Sequence, residues 1–269
     1  VLEAGWRELD QGRVWVRPDL EAPLREAGLD SLAGAFACRL GQEIKRNKDL
    51  RDIRRLELTR EGAAVSVFLK RIQRLEGEEA RRAAVEPRSA GAWAEVRNYL
   101  LLDRLGLKTL TPVAVGGQDQ RSFSLTLALE GVTPLSKWVI AHYKQAPISL
   151  RRALIRQVAG LAARLHGAGY YHQDLNLHHF LWNNNEQMPM LYLVDLQRLK
   201  PLPRWGFRGR LKDIAELTCA ASGLLGRRDG LAFARAYTGR PWGLGQKLFF
   251  GAARLKADRV ARHNAKHGL

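Results

Sequence analysis

Six polar side chains stand within eight residues in the stretch His172-Gln173-Asp174-Leu175-Asn176-Leu177-His178-His179, and apolar residues flank it on both sides. A solvated face does not place leucines between its polar groups in this way, and a core does not admit so many polar groups without partners. Downstream, the run Leu191-Tyr192-Leu193-Val194 reads as a short buried strand with one carboxylate at its end, Asp195, twenty-one residues beyond Asp174. A buried carboxylate needs a partner, and a metal ion is a good one. Upstream, Val67-Phe68-Leu69-Lys70 closes a strand pattern on an ammonium group, and Glu95 follows on a helical pattern. Taken singly, Lys70 is an ordinary surface lysine and Glu95 an ordinary solvated helix charge; their order along the chain is what links them.

The elements that must position these groups follow from periodicity. Alternation over 53–58 and 64–70, broken by Arg60-Glu61-Gly62, predicts a β-hairpin that carries Lys70. The stretch 71–90 is crowded with charge and contains Pro87, which predicts a poorly ordered connection or frayed helix. Trp93, Val96, Leu100 and Leu101 recur at helical spacing over 92–105, with Gly106 as the stop signal. Two further strands are predicted over 111–115 and 122–129, around a turn at Gly116-Gly117-Gln118-Asp119. Helical spacing then dominates over 150–167, 211–225, 229–237 and 245–263. Strands come first and helices second. The prediction is an α+β protein of two lobes, a β-rich N-lobe over 1–131 and an α-helical C-lobe over 132–269, meeting near Gly131 to Ser136.

Composition narrows the class of function. The chain has 269 residues, enough for a full hydrophobic core, with 44 Lys+Arg against 27 Asp+Glu and a formal net charge of +17. That surplus predicts a polyanionic partner: nucleic acid, an anionic membrane surface or a phosphorylated ligand. No aromatic-interleaved strand or recognition-helix pattern is present, so nucleic acid is not expected. Cys38 and Cys219 are far apart and outside any CxxC spacing, which excludes a cysteine-based zinc site and argues against a disulfide framework. No apolar run approaches the roughly 18 residues of a membrane span, and the first ten residues show no cationic-then-apolar leader. A cytoplasmic protein is the expectation. The segment 231–269 is strongly basic (Arg235, Arg240, Lys247, Arg254, Lys256, Arg259 and Arg262 among others, against Asp258), and Leu248, Phe249, Phe250 and Leu255 interleave with those cations. It predicts either a basic helix packed on the second lobe or an amphipathic contact with anionic lipid, and both can hold together.

On these residues the chain resembles the protein-kinase-like superfamily, and within it the bacterial lipopolysaccharide core kinases of the Kdo/WaaP family. His172-Gln173-Asp174 resembles the catalytic-loop triplet, Val194-Asp195-Leu196-Gln197 stands where the metal-binding motif belongs, and Val67-Phe68-Leu69-Lys70 and Glu95 stand where the phosphate-binding lysine and its ion-pair partner belong. Protein kinases carry Asn five positions after the catalytic Asp; here that position is His179, and His179-Phe180-Leu181 is similar to the lipopolysaccharide kinases. So is Arg204-Trp205-Gly206-Phe207-Arg208-Gly209-Arg210-Leu211-Lys212-Asp213-Ile214, a basic, Trp-containing segment before a Lys-Asp-hydrophobic helix start. Gln173 replaces the triplet arginine, which removes the charge that would read a phosphorylated activation loop. There is no GxGxxG; the candidate nucleotide-covering turn is Gly41 to Lys48.

The resemblance implies an ATP- and Mg2+-dependent kinase acting on a sugar hydroxyl, heptose above all, of the lipopolysaccharide inner core, peripheral on the cytoplasmic face of the inner membrane. It implies Asp174 as the base, Lys70 held by Glu95 on the phosphates, Asp195 on magnesium with His179 or Asn176 completing the shell, and backbone near Glu130 and Val132 on adenine. Its implied partners are that anionic glycolipid and an anionic membrane surface, with an accessory protein as a further candidate. Two other functions compete: a soluble small-molecule kinase of the aminoglycoside type, whose cationic substrates call for an acidic site, and a catalytically inactive kinase fold serving as an adaptor.

Overall fold

The computed structural model describes residues 5–47, 50–183, 189–203, 206–239 and 243–267. Lys48, Arg204, Trp205 and Arg240, named above, lie outside the described residues. The chain divides into two compact units, and the division is not contiguous: the first holds 1–104, 109–130 and 195–197, the second 105–108, 131–194 and 198–269.

The first unit is built on an antiparallel seven-stranded sheet, formed by β1 (Arg7–Leu9), β2 (Val14–Val16), β3 (Gln42–Asn47), β4 (Arg51–Arg60), β5 (Ala63–Ile72), β6 (Pro112–Gln118) and β7 (Arg121–Leu127). Its strand order is β1-β2-β6-β7-β5-β4-β3. The expected hairpin forms from β4 and β5, with Leu56 opposite Val67 and Ile53 opposite Lys70. Period-two alternation sends Leu56, Leu58, Val67 and Leu69 into a core shared with α1 (Glu21–Glu26) and α2 (Leu32–Ala37). Each of those buried side chains stabilises the unit by about 1.5–3 kcal/mol. The opposite face carries Lys70.

The stretch 71–90 is ordered, contrary to expectation. Arg71 and Ile72 complete β5, and α3 (Gly77–Val85) follows. The charge that suggested solvent is paired instead. Arg71 is buried against Asp52 and also donates to the carbonyls of Ala35, Phe36 and Cys38, while Ile72, Leu75, Ala83 and Ala90 pack into a small core of their own. Next comes α4 (Gly91–Arg104), as its spacing predicted, with Trp93, Val96 and Leu100 packed against Val115. Gly91 has φ +59°, and a Cβ there would stand 2.7 Å from Ser122 Oγ; that hydroxyl accepts the Ala92 N–H and fixes the start of the helix on β7.

The turn expected at Gly116 to Asp119 lies later. β6 runs through Gln118, and Asp119 turns with φ +55°. The two glycines serve close approach rather than turning: a Cβ on Gly117 would stand 2.9 Å from the Trp93 indole nitrogen, and one on Gly116 2.4 Å from the Phe123 ring.

The second unit is mainly helical. It contains β8 (Val132–Pro134), α5 (Leu135–His142), α6 (Ile148–Gly167), β9 (Tyr170–Tyr171), β10 (Phe180–Asn183), β11 (Met190–Leu193), β12 (Lys200–Pro201), α7 (Phe207–Ala221), α8 (Arg227–Thr238) and α9 (Leu244–His267). The strands form two small antiparallel sheets, β11-β10-β8 and β12-β9. Between β9 and β10 runs the polar stretch 172–179. Buried Leu154, Val158, Leu161 and Leu165 make the inner stripe of α6.

Candidate active site

In the first unit, α4 collects the ionic groups. Lys70 Nζ donates to Glu95 Oε1 at 2.9 Å and lies 3.5 Å from Asp195 Oδ1. Glu95 is buried, and its Oε1 also accepts the Tyr99 hydroxyl at 2.8 Å. Asp195 is reached from the same helix, since Asn98 Nδ2 donates to the next carbonyl, that of Leu196, at 2.7 Å. Residues one turn apart on α4 therefore fix both carboxylates around one ammonium. Burial disfavours the Lys70 charge, but the Glu95 and Asp195 carboxylates outweigh it, and the net shift of its pKa is upward. Burial first, and then the Glu95 and Asp195 charges, keep the Tyr99 phenol protonated well beyond its usual range. Asp195 adopts φ +59°, a left-handed conformation rare outside glycine, and its side chain is 40% exposed.

In the second unit, the polar stretch is held by its backbone. Asp213 of α7 is fully buried; its Oδ2 accepts the His172 N–H at 2.6 Å, and its Oδ1 accepts the Gln173 N–H at 2.8 Å. Oδ2 also meets His166 Nε2 at 3.1 Å, and His166 Nδ1 meets the Tyr237 hydroxyl at 2.7 Å. In the neutral ring this orders the protons: Tyr237 donates to Nδ1, and Nε2–H donates to Asp213. Gln173, at φ +72°, donates from Nε2 to the Arg198 carbonyl at 2.6 Å. Asp213 thus holds the two residues that precede Asp174.

The remaining groups of the loop are also tethered. His179 Nδ1–H donates to the Asp174 carbonyl at 2.7 Å, which places the lone pair of the neutral ring on Nε2. His172 Nε2–H donates to the Val194 carbonyl at 3.1 Å, and the His172 and His179 rings stack at 5.3 Å. The Asn176 side chain caps the short turn 177–179. Glu216, on α7, has its pKa raised, by burial first and then by the Asp174 carboxylate. His178 lies edge-on to His179 at 4.0 Å between ring centroids.

The sequence-predicted residues therefore fall into two groups. Lys70, Glu95 and Asp195 come together in the first unit, and Asp174, Asn176 and His179 share one loop in the second. Glu130 and Val132 lie on either side of the division; Glu130 accepts from Arg55 Nη2 at 2.8 Å, and Val132 pairs with Asn183 in β8. Asp213, His166 and Tyr237 had been given no functional part. The signal for Asp213 was its place at the start of a helix after the basic segment, but nothing in sequence shows that a carboxylate will cap a distant loop.

Among the described residues no group of three His, Cys, Asp or Glu is arranged to hold a metal. Magnesium does not require one: it binds through one or two carboxylates, with phosphate oxygens and water filling its octahedron. A half-exposed carboxylate such as Asp195 suits that chemistry.

A solved aminoglycoside-3'-phosphotransferase of type VIII overlays with a TM-score of 0.53 at 15% identity, covering 88% of this chain and 98% of that one, and shares the fold. The architecture is a kinase-like one, a β-sheet-rich N-terminal region followed by a helical C-terminal region. A nearer structure, of WaaP in complex with acyl carrier protein, overlays with a TM-score of 0.69 at 26% identity, covering 92% of this chain and 99% of that one. The family model "Lipopolysaccharide kinase (Kdo/WaaP) family" matches residues 78–237, more than half of the sequence, and the chain belongs to that family. The lipopolysaccharide core heptose(I) kinase WaaP of Pseudomonas aeruginosa is 33% identical over 163 residues, which are 55% of this chain and 59% of that protein. The match thus spans less than two thirds of that relative's length.

Proposed function

We propose that this chain transfers the γ-phosphoryl group of ATP to a sugar hydroxyl of the lipopolysaccharide inner core, a heptose hydroxyl first among them. The observation that carries the proposal is the Lys70–Glu95–Asp195 cluster, built around one ammonium in a chain of a lipopolysaccharide kinase family. Lys70 has three N–H donors, of which two are aimed at carboxylates, so one remains in direction for a phosphate oxygen. Glu95 keeps Lys70 charged and extended. Magnesium, when bound, neutralises the phosphate oxygens, and Asp195 is the residue that would hold it, with His179 and Asn176 as candidate helpers. Asp174 accepts the proton of the attacking hydroxyl as its oxygen bonds to the γ-phosphorus and the bond to the β-phosphate oxygen breaks, releasing ADP. Backbone at Glu130 and Val132 is assigned to adenine.

The acceptor rests on the named relative and on charge. A net charge of +17 suits an acidic glycolipid and repels a cationic aminoglycoside. Docking at an anionic inner-membrane surface is supported by α9, which leaves Leu244, Leu248 and Leu255 well exposed beside exposed Lys247, Arg254, Arg259 and Arg262. Phe249 and Phe250 are half-buried and pack in an aromatic cluster with Phe207, Phe233 and Tyr237, so the exposed leucines are the side chains proposed to reach the lipid. No helix among the described residues is long and apolar enough to cross a membrane, so peripheral attachment is the form proposed. An acyl carrier protein is proposed as an accessory partner by likeness to the solved complex.

The test is a panel of acceptors offered with labelled ATP: core lipopolysaccharide lacking its heptose phosphate, the same core already phosphorylated, and aminoglycosides. Label entering the first alone, located on heptose by mass spectrometry, is expected. Transfer to aminoglycosides instead, or nucleotide binding with no transfer to any acceptor, would overturn the proposal in favour of the small-molecule kinase or the adaptor.

A further inference from the structure

Glycine-rich turns hold phosphates with backbone N–H groups, because only glycine lets the backbone come close enough. Between Gly41 and Gly62 this chain has no glycine, yet that segment supplies the edge hairpin of β3 and β4. What it carries instead is cationic. Paired residues of an antiparallel ladder share a face, and every second residue along a strand returns to it. Lys45 pairs with Ile53, which pairs with Lys70; Asn47 pairs with Arg51, which pairs with Ile72. Lys45 and Arg51 therefore lie on the Lys70 face of the sheet. A register shift between Glu43 and Lys45 sets this arrangement, since it lets Gln42, opposite Arg55, and Lys45 share one face although they are three residues apart.

The neighbouring cations are already employed. Arg54, on the other face, donates to the carbonyls of Arg39, Leu40 and Gly41, and Arg55 is tied to Glu130 and Ser66. Arg51 differs. It has five N–H donors, and Glu79 of α3 takes one of them, Nη2–H, at 3.1 Å while the Arg51 side chain stays one-third exposed. Its charge is also near enough to Lys70 to oppose the upward shift produced there by Glu95 and Asp195. Arg51 and Lys70 are each held by carboxylates, Arg51 by Glu79 and Lys70 by Glu95 and Asp195, and each keeps N–H donors beyond those bonds for the oxygens of an anion.

We propose that Arg51, with Lys45 beside it, replaces the glycine-rich cradle: these side chains take the phosphate chain of the nucleotide alongside Lys70, and Glu79 holds the Arg51 guanidinium in position. The inference rests on the ATP-dependent reading given above and adds the residues that recognise the triphosphate. Its chemistry predicts selectivity that grows with phosphate count, as side-chain cations answer to charge.

Calorimetry of the full chain with ATP, ADP and adenosine tests it. Arg51→Gln is expected to weaken ATP at least tenfold and ADP less, and to leave adenosine unchanged; Arg51→Lys recovers part of the loss, and Lys45→Gln shows a smaller loss of the same order among ligands. ATP affinity within twofold of wild type in Arg51→Gln, at an unchanged melting temperature, would overturn the proposal. Should Arg51→Gln unfold, Lys45→Gln on the exposed strand decides, and equal affinities there overturn it too. ATP binding that needs Lys70 but neither Arg51 nor Lys45 defeats this inference alone, whereas a wild-type chain that binds no nucleotide defeats the kinase reading beneath it.

Discussion

The two units hold their functional groups by opposite means. In the first, side chain meets side chain: an ammonium and two carboxylates, with Tyr99 sharing Glu95. In the second, side chain meets backbone: one buried carboxylate, Asp213, takes the N–H groups of two consecutive loop residues and a histidine nitrogen besides. Ion pairing sets charge, so the first arrangement suits a group that must stay cationic beside an anion. Backbone anchoring sets shape, so the second suits a loop that must present Asp174 in one place. Strain is found in both, at Asp195 and at Gln173, each with positive φ beside its site.

If that contrast is right, Asp213 is the costliest residue to remove. Asp213→Ala leaves the buried His172 N–H, the half-buried Gln173 N–H and the buried His166 without their acceptor, and a loss of about 3–5 kcal/mol in unfolding free energy is expected from breaking one side of a buried charged network. Urea denaturation of the full chain measures it; a loss below about 1 kcal/mol, the usual value of one ordinary hydrogen bond, would remove Asp213 as the anchor.

A smaller and different effect belongs to the first unit. Glu95→Gln keeps the shape and the Tyr99 bond but takes away the charge that holds Lys70 raised, so ATP affinity is expected to drop about tenfold, equivalent to about 1.4 kcal/mol, with stability less affected than in Asp213→Ala. Equal loss of fold in both variants would erase the distinction between the units.

The smallest expected effect is at Glu216. Its folded pKa is raised, by burial and then by Asp174, so the folded state binds that proton more tightly than the unfolded state does. The stability it contributes is complete below the unfolded value, about 4.3, and is lost as pH rises through the folded value. Glu216→Gln should therefore melt higher than wild type at neutral pH and no higher at pH 4. A gain of the same size at both values in thermal scans would show that the charge is not involved.

How much of this was legible in the sequence follows the same divide. Lys70 and Glu95 could be found because each sits at a set place on a periodic element, a strand in one case and a helix in the other. The loop 172–179 was conspicuous by composition, but its anchor was not: Asp213 looks like any acidic residue early in a helix until the fold brings it under the loop. Charge misled over 71–90, where Arg71 and Glu79 pair with Asp52 and Arg51 of the neighbouring strand instead of facing water. Glycine misled at 116 and 117, since a residue that permits a turn also permits an aromatic ring to approach. In each case the missing information was a contact distant in sequence.

In the proposed reaction Asp174, presented by the Asp213-anchored loop, takes the proton during transfer from ATP. The most direct measurement pairs labelled-phosphate transfer to heptose-bearing core with nucleotide calorimetry, in wild type and in Asp174→Ala. Transfer should fall by about 10²–10⁴, the range for loss of a general base, while ATP affinity stays within a few fold of wild type. Transfer near the wild-type rate in Asp174→Ala would contradict the account.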